Sequence, residues 1–396
     1  MKTLDDFNFK NKKALIRVDF NVPLKNDFTV SDASRIQAAK TTITKVLDDG
    51  GSCVLLSHLG RPKGIDNKYS LRHIVSKATE ILGTNIVFID DCIGEKVAKV
   101  VSELQGGELV LLENLRFYPE EKAGDAIFAK QLSNWGDIYI NDAFGTAHRA
   151  HASTTTIAKF FCKNKCFGNL MAKEIESIDK VLNHSEKPVT AILGGSKVSS
   201  KIDIITNLIK KTDHILIGGG MAFTFIKALG GCIGDSLVEN DKLNLALKIL
   251  EEAKQKNTQI HLPVDTQIAD AFSADANIKI VDIHKIPLGW MGLDIGPRTS
   301  EKFAEVLEAS KTILWNGPLG VFEMNKFAEG TIALGRAVAR ATKNGAFSLV
   351  GGGDSIAAVK QFGFDDKVSY VSTGGGAMLE SLEGKVLPGI AAILNS

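Results

Sequence analysis

Residues 191–201 read AILGGSKVSSK: an apolar run of strand character enters a glycine pair, then a lysine, and four positions later a second lysine. Glycine at a strand end permits positive φ and lets backbone N–H groups close on a ligand. A helix starting just beyond adds roughly half a unit of positive charge, so the turn reads as a cradle for phosphate. The pattern returns in ILIGGGMAF (Ile215 to Phe223), LVGGGDS (Leu349 to Ser355) and VSTGGGAM (Val371 to Met378). Amphipathic stretches of helical length separate such runs, as at Asn240 to Lys256, Lys326 to Lys343 and Ser355 to Phe362. Strands alternating with helices predict an α/β fold with mainly parallel sheets, whose ligands bind beyond the carboxyl ends of the strands.

Working toward the N-terminus, the strand ends change character. VLLSHLGRP (Val54 to Pro62), LLENLRF (Leu111 to Phe117) and YINDAFGTAHRAH (Tyr139 to His151) finish in histidine and arginine rather than glycine runs. Arg35, His58, Arg61, Arg116, His148, Arg149 and His151 lie in or near such loops, Arg35 just ahead of a helical pattern. The planar guanidinium fork grips carboxylate and phosphate at two points, so several together imply a small, multiply charged anion. One such residue alone reads as a solvated surface charge; repeated basic strand tips do not. RVDFNVPL (Arg17 to Leu24) adds Asp19 and Asn21, suited to hydroxyl groups or to bracing the arginines. A metal on His58, His148 and His151 is disfavoured, because the arginines would repel it.

Strand-length apolar runs are predicted at Cys53 to Leu56, Leu109 to Leu112, Ile138 to Ile140, Val189 to Leu193, His214 to Ile217, Ile260 to Leu262, Thr312 to Trp315, Phe347 to Val350 and Val368 to Val371. The turns switch type between Phe160 and Pro188, where NLMAKEIESIDKVLN (Asn169 to Asn183) has a helical pattern and reads as a connector. A chain of 396 residues is too long for one ordinary core, so two domains are expected.

A formal net charge of +1 gives no general attraction to nucleic acid or to an anionic membrane. The N-terminal stretch has scattered charges and no secretory pattern, and five cysteines in so long a chain fit reduced thiols better than a disulfide framework. A cytoplasmic protein is expected.

In the glycine-rich half, Lys197 and Lys201 share a helical face if a helix has begun by Lys197. The GxxxxGK[ST] spacing is absent, and GGGMAF puts Phe223 where a dinucleotide turn needs a small residue. Asp354 in GGGDS suits either Mg²⁺ or a helix N-cap. WNGPLGVFE (Trp315 to Glu323) offers Leu319 and Val321 to a flat base and Glu323 to ribose hydroxyls, and GWMGLD (Gly289 to Asp294) reads as a further wall.

Together, RVDFNVPL, SHLGRP, ENLRF, NDAFGTAHRAHAS, GGSKVSSK, GGGMAFTF, GWMGLD, WNGPLGVFE, GGGDS and STGGGAMLE closely resemble the phosphoglycerate kinase family over nearly the whole chain. The resemblance implies two Rossmann-like α/β domains joined by a helix: residues 1–168 for the acid, 169–183 as connector, 184–386 for the nucleotide, with 387–396 returning to the first domain. It implies reversible transfer between 1,3-bisphosphoglycerate and ADP, giving 3-phosphoglycerate and ATP with Mg²⁺, by hinge closure in a monomer. By resemblance the acid side comprises Asp19, Phe20, Asn21, Arg35, His58, Leu59, Gly60, Arg61, Arg116 and Arg149. The nucleotide side comprises Lys201, Gly292, Glu323, Gly352, Gly353, Asp354 and Ser355, with Asp354 on the metal. Arg35 and Lys197 are expected at the transferring phosphoryl group. Ile356 and Met378 stand where the family often has smaller residues. The alternatives are a nicotinamide-dependent dehydrogenase, which lacks its fingerprint here, and a non-catalytic nucleotide-sensing protein, for which the arginine cluster has no use.

Overall fold

The computed structural model describes residues 1–395 and divides into two compact units, Met1–Glu176 together with the segment from Val386 onward, and Ser177–Lys385. The boundary falls inside the helix Asn169–Leu182.

The first unit is built on six strands, β1 (Lys13–Val18), β2 (Ser52–Leu56), β3 (Ile86–Ile89), β4 (Leu109–Leu112), β5 (Ile138–Asp142) and β6 (Lys165–Phe167). All pair in parallel, in the order β3-β4-β2-β1-β5-β6. Near-continuous apolar sequence marks strands covered on both faces, and β2, β4 and β5 are buried throughout. Ile16, Val18, Leu55, Leu111 and Ile140 pack with Ile36, Ala39 and Ile43 of the helix Ser34–Asp48. From β1 the chain winds to one side through β2, β3 and β4, then crosses to β5 on the other, which puts the switch in winding direction at β1. The segment from Val386 is tied to this unit: Gly389 N donates to Ala147 O at 2.8 Å, and Lys165 Nζ to the carbonyls of Ala392 and Asn395 at 2.9 and 2.6 Å.

The second unit contains β7 (Val189–Leu193), β8 (His214–Ile217), β9 (Cys232–Ile233), β10 (Gln259–His261), β11 (Asp265–Ala269), β12 (Ile278–Asp282), β13 (Lys285–Ile286), β14 (Met291–Ile295), β15 (Thr312–Asn316), β16 (Phe347–Val350) and β17 (Tyr370–Val371). Six form a second parallel sheet, β10-β8-β7-β15-β16-β17, with its switch between β7 and β15. Ile192, Leu216, Trp315 and Val350 anchor its core against Phe303, Leu334 and Val338. The expected strands are present with ends shifted by a residue or two. Besides β1, β3 and β6, the unforeseen elements are an antiparallel sheet β12-β11-β14 and the pair β13-β9, both separate from the main sheet. No helix among the described residues is long and apolar enough to cross a membrane.

Candidate functional site

Each unit carries a candidate site at the carboxyl ends of its parallel sheet, where loops leave the switch point. In the first unit, Asp19, Phe20 and Asn21 follow β1, His58 to Arg61 follow β2, Arg116 follows β4 and Arg149 follows β5. Arg35 lies within the first turn of the helix Ser34–Asp48 rather than ahead of it. Its Nη1 donates to Asn21 O at 3.0 Å and sits 3.1 Å from Asp19. Asn21 Oδ1 accepts from Gly60 N at 2.8 Å, and Gly60 O accepts from Arg116 Nη1 at 2.6 Å. Phe20 is buried and its amide donates to Ser57 Oγ; Leu59 is buried and its carbonyl accepts from Asn114 Nδ2.

Gly60 occupies the left-handed region, φ +63, and a Cβ there would lie 2.4 Å from the Tyr69 ring. That turn is therefore closed to other residues, which explains the glycine in SHLGRP. Arg149 Nε reaches His148 Nε2 at 3.1 Å, whereas Arg61 is exposed.

Electrostatics mark this site as anion-seeking. Burial, with Arg17, Arg116, Arg35 and Arg149 around it, holds His58 well below the usual histidine range. Burial and nearby arginines lower His151 to about 4, and burial with Arg17 and Arg149 lowers Arg116 to about 10. The Arg116 Nε is buried with no hydrogen-bond partner, an uncompensated donor in a cationic pocket.

Sequence reasoning missed Arg17, fully buried on β1. Its Nε donates to Ser153 Oγ at 2.8 Å, its Nη1 to Val18 O, and its Nη2 lies 3.1 Å from His58 Nδ1. The available signal was a charged residue inside the apolar run ALIRV, since arginine is almost never fully buried without a purpose.

In the second unit, the turns after β7 and β15 meet at the switch point. A Cβ on Gly194 would fall 1.9 Å from Pro318 O, so only glycine lets these two backbones touch. Gly195 has φ +110, and the helix starts at Ile202 after a single tight turn, Ser199–Lys201. Lys197 and Lys201 therefore do not share a helical face. Lys197 is exposed in the loop, whereas Lys201 donates to Asn316 O at 3.0 Å and to Asn316 Oδ1. Burial lowers Lys201 to about 8, and Asp354 is near enough to pull the other way.

Gly352 caps the helix Gly353–Gln361. Asp354 in its first turn is exposed, while Ser355 is buried with Oγ accepting from Gly317 N at 2.6 Å. Asn316, also missed, joins the two turns, with Nδ2 donating to Gly351 O at 2.8 Å.

Beside these turns a cavity of about 480 Å³ is lined by Phe223, Leu237, Gly292, Leu319, Val321 and Glu323 among others. Gly292 and Asp294 belong to β14, so the small antiparallel sheet supplies one wall and the β15 turn another. Asp294, a third residue missed, is buried in that wall; it accepts from Ile295 N at 2.9 Å and Gly330 N at 2.8 Å, and burial raises it to about 7. An apolar slot of this size beside glycine-rich helix starts suits a base with its phosphates.

Among the described residues, no group of three or more His, Cys, Asp or Glu could hold a metal. A single exposed carboxylate at a phosphate-type turn does fit Mg²⁺ that is held chiefly by phosphate oxygens and water.

Residues 4–385 match the family model for phosphoglycerate kinase. A phosphoglycerate kinase of Porphyromonas gingivalis is 52% identical and covers 99% of each chain, and a cytosolic one of Nicotiana tabacum is 50% identical over 99% of this chain and 97% of its own. Among solved structures, phosphoglycerate kinase from Coxiella burnetii superposes with a TM-score of 0.91 at 40% identity, covering 99% of this chain and 98% of that one. That from Pyrococcus horikoshii gives 0.84 at 33%, covering 100% and 98%. With a basic edge on one parallel sheet and a glycine-walled cavity on the other, this chain belongs to the phosphoglycerate kinase family, phosphotransferases whose acceptor is a carboxyl group.

Proposed function

We propose that this chain runs the glycolytic phosphoglycerate kinase reaction, with 3-phosphoglycerate or 1,3-bisphosphoglycerate held by the first unit and ADP or ATP by the second. The observation that carries the assignment of sites is the division of labour between them: converging arginines in one, and in the other an apolar cavity beside glycine turns with Lys201 and Asp354.

The acceptor carboxylate is ionised at neutral pH, with a reference pKa near 4, so no general base is required. Burial and the surrounding arginines hold His58 well below the usual histidine range and so make it a weak base, in keeping with a reaction that needs none. Asp19, Asn21, His58, Arg61, Arg116 and Arg149 bind and orient the acid. Arg35 and Lys197 hold the equatorial oxygens of the transferring group. Lys201 and the helix start at Gly352 to Ser355 bind the phosphate chain, Gly292 walls the base, and Glu323 accepts from the ribose. Mg²⁺, with Asp354 as its protein ligand, supplies neutralisation of phosphate charge when bound. Catalysis then rests on positioning and charge stabilisation of an in-line transfer.

Because the two substrates belong to different units, transfer requires the units to approach, which also excludes water from the acyl phosphate. A monomer in the cytoplasm is part of this proposal, supported for location by the Nicotiana tabacum relative, whose name specifies a cytosolic enzyme. A coupled assay with 1,3-bisphosphoglycerate, Mg²⁺ and ADP should yield ATP. Tight nucleotide binding with no ATP formation would instead identify a nucleotide-sensing protein. Solution scattering should register a smaller radius of gyration with both substrates than with neither.

A further inference from the structure

We propose that Glu121, Ser153 and Arg17 form a positioning relay that locks His58 in the tautomer bearing its proton on Nε2, so that the ring meets the substrate anion as a neutral donor. The inference deepens the proposed function, since it rests on 3-phosphoglycerate binding at the first unit's basic edge.

Every link has a forced direction. Arginine carries five N–H donors and no acceptor, so the 3.1 Å contact between Arg17 Nη2 and His58 Nδ1 requires Nδ1 to accept. A neutral imidazole accepting at Nδ1 must hold its proton on Nε2. Burial and the charges of Arg17, Arg116, Arg35 and Arg149 oppose a second proton; the carboxylate facing the ring, Asp19, stands off at 3.9 Å. His58 Nε2 has no hydrogen-bond partner among the described residues and is left for a ligand.

Arg17 needs a brace of its own. It is fully buried, and no carboxylate of the described residues lies within ion-pair distance of it, a costly arrangement for a charge. Compensation arrives at one remove. Arg17 Nε donates to Ser153 Oγ at 2.8 Å, so that oxygen must send its own proton elsewhere. It goes to Glu121 Oε1 at 2.6 Å, while Ser153 N donates to Oε2 at 3.0 Å. The carboxylate thus fixes the hydroxyl, the hydroxyl fixes the guanidinium, and the guanidinium fixes the ring. The four residues follow or occupy β4, β5, β1 and β2, so the relay ties together the strand ends that form the site. In the opposite tautomer, a lone pair would face an anion and repel it.

The test begins with the wild-type protein, free of substrate and labelled with ¹⁵N-histidine. From pH 6 to 8, His58 should show a protonated Nε2 and an unprotonated Nδ1, with no change of pattern. A ring protonated at Nδ1, a tautomer mixture or an imidazolium would overturn the relay, and this reading needs no variant to fold. Ser153→Ala removes one oxygen from the chain; its His58 signals should move toward a tautomer average. Its KM for 3-phosphoglycerate should rise about tenfold, the scale of one hydrogen bond, with KM for ATP unchanged. A single tautomer retained in Ser153→Ala, or an unchanged KM for the acid, would also overturn the proposal. Failure of the proposed function would look different: no phosphoryl transfer by the wild-type protein, whatever its ring spectrum.

Discussion

Lys201 directs its ammonium at both oxygens of Asn316, 3.0 Å from the main-chain carbonyl and also bonded to Oδ1. Two neutral oxygens offset only part of the cost of burying the charge, which is why its pKa falls to about 8. As pH rises through that value, the free protein loses a cation at its phosphate site. Nucleotide affinity should therefore decline between pH 7 and 9, and in Lys201→Arg the decline should flatten, because guanidinium stays charged. Calorimetric titration with ADP at the two pH values checks this. The folded state also releases this proton before the unfolded state does, so Lys201 makes stability rise with pH from about 8 toward the ordinary lysine range.

Asp294 shifts the other way. Its folded pKa of about 7 lies above the unfolded value, so the folded state binds more protons between pH 4 and 7. Its contribution to stability is complete below about pH 4 and is lost as pH rises to about 7. Asp142, raised to about 6 by burial in the first unit, adds a slope of the same sign, so the informative quantity is the difference between variant and wild type. In Asp294→Asn the slope should diminish. The variant should also lose about 1–3 kcal/mol at pH 5, because one of the two accepting oxygens becomes an NH₂ facing an amide donor. Denaturant unfolding at pH 5 and 7 measures both effects.

Much of this architecture was legible because each major strand ends in a chemically conspicuous tip. The run before Gly194, that before His58 and that before Arg116 are strands, and their tips lie at the sheet edges. The edge strands β3 and β6 have no such tip and escaped notice, as did β1, whose apolar run Arg17 interrupts. The condition for Lys197 and Lys201 to share a helical face is not met, because helical spacing has meaning only once a helix has begun, and here it begins at Ile202, beyond the positive φ of Gly195. Asn316, Glu121 and Asp294 act through partners distant in sequence, so their roles arise only when the strands assemble.

Gly60 offers a test of how tightly the acid site is templated. In Gly60→Ala the new Cβ meets the Tyr69 ring and must also occupy a left-handed φ. The turn would shift, disturbing both the Gly60 N bond to Asn21 and the Gly60 O bond from Arg116. KM for 3-phosphoglycerate should rise tenfold or more, on the order of 1.4 kcal/mol or above, with KM for ATP unaffected. Gly64→Ala is the control: nothing lies within 4 Å of a Cβ there, so its kinetics should remain those of the wild type.

Arg35 is the sharpest kinetic test of the proposed mechanism. Its guanidinium is held by Asn21 O at 3.0 Å and Asp19 at 3.1 Å, yet it remains partly exposed, which leaves N–H groups for a phosphoryl oxygen. If it stabilises the transferring group rather than the bound acid, Arg35→Ala should lower kcat by on the order of 10³-fold with a much smaller change in KM. Loss confined to KM would place Arg35 among the binding arginines instead. Because the side chain is partly exposed, thermal unfolding should show little loss of stability, and a steep drop in Tm would mean that the activity defect reports on folding.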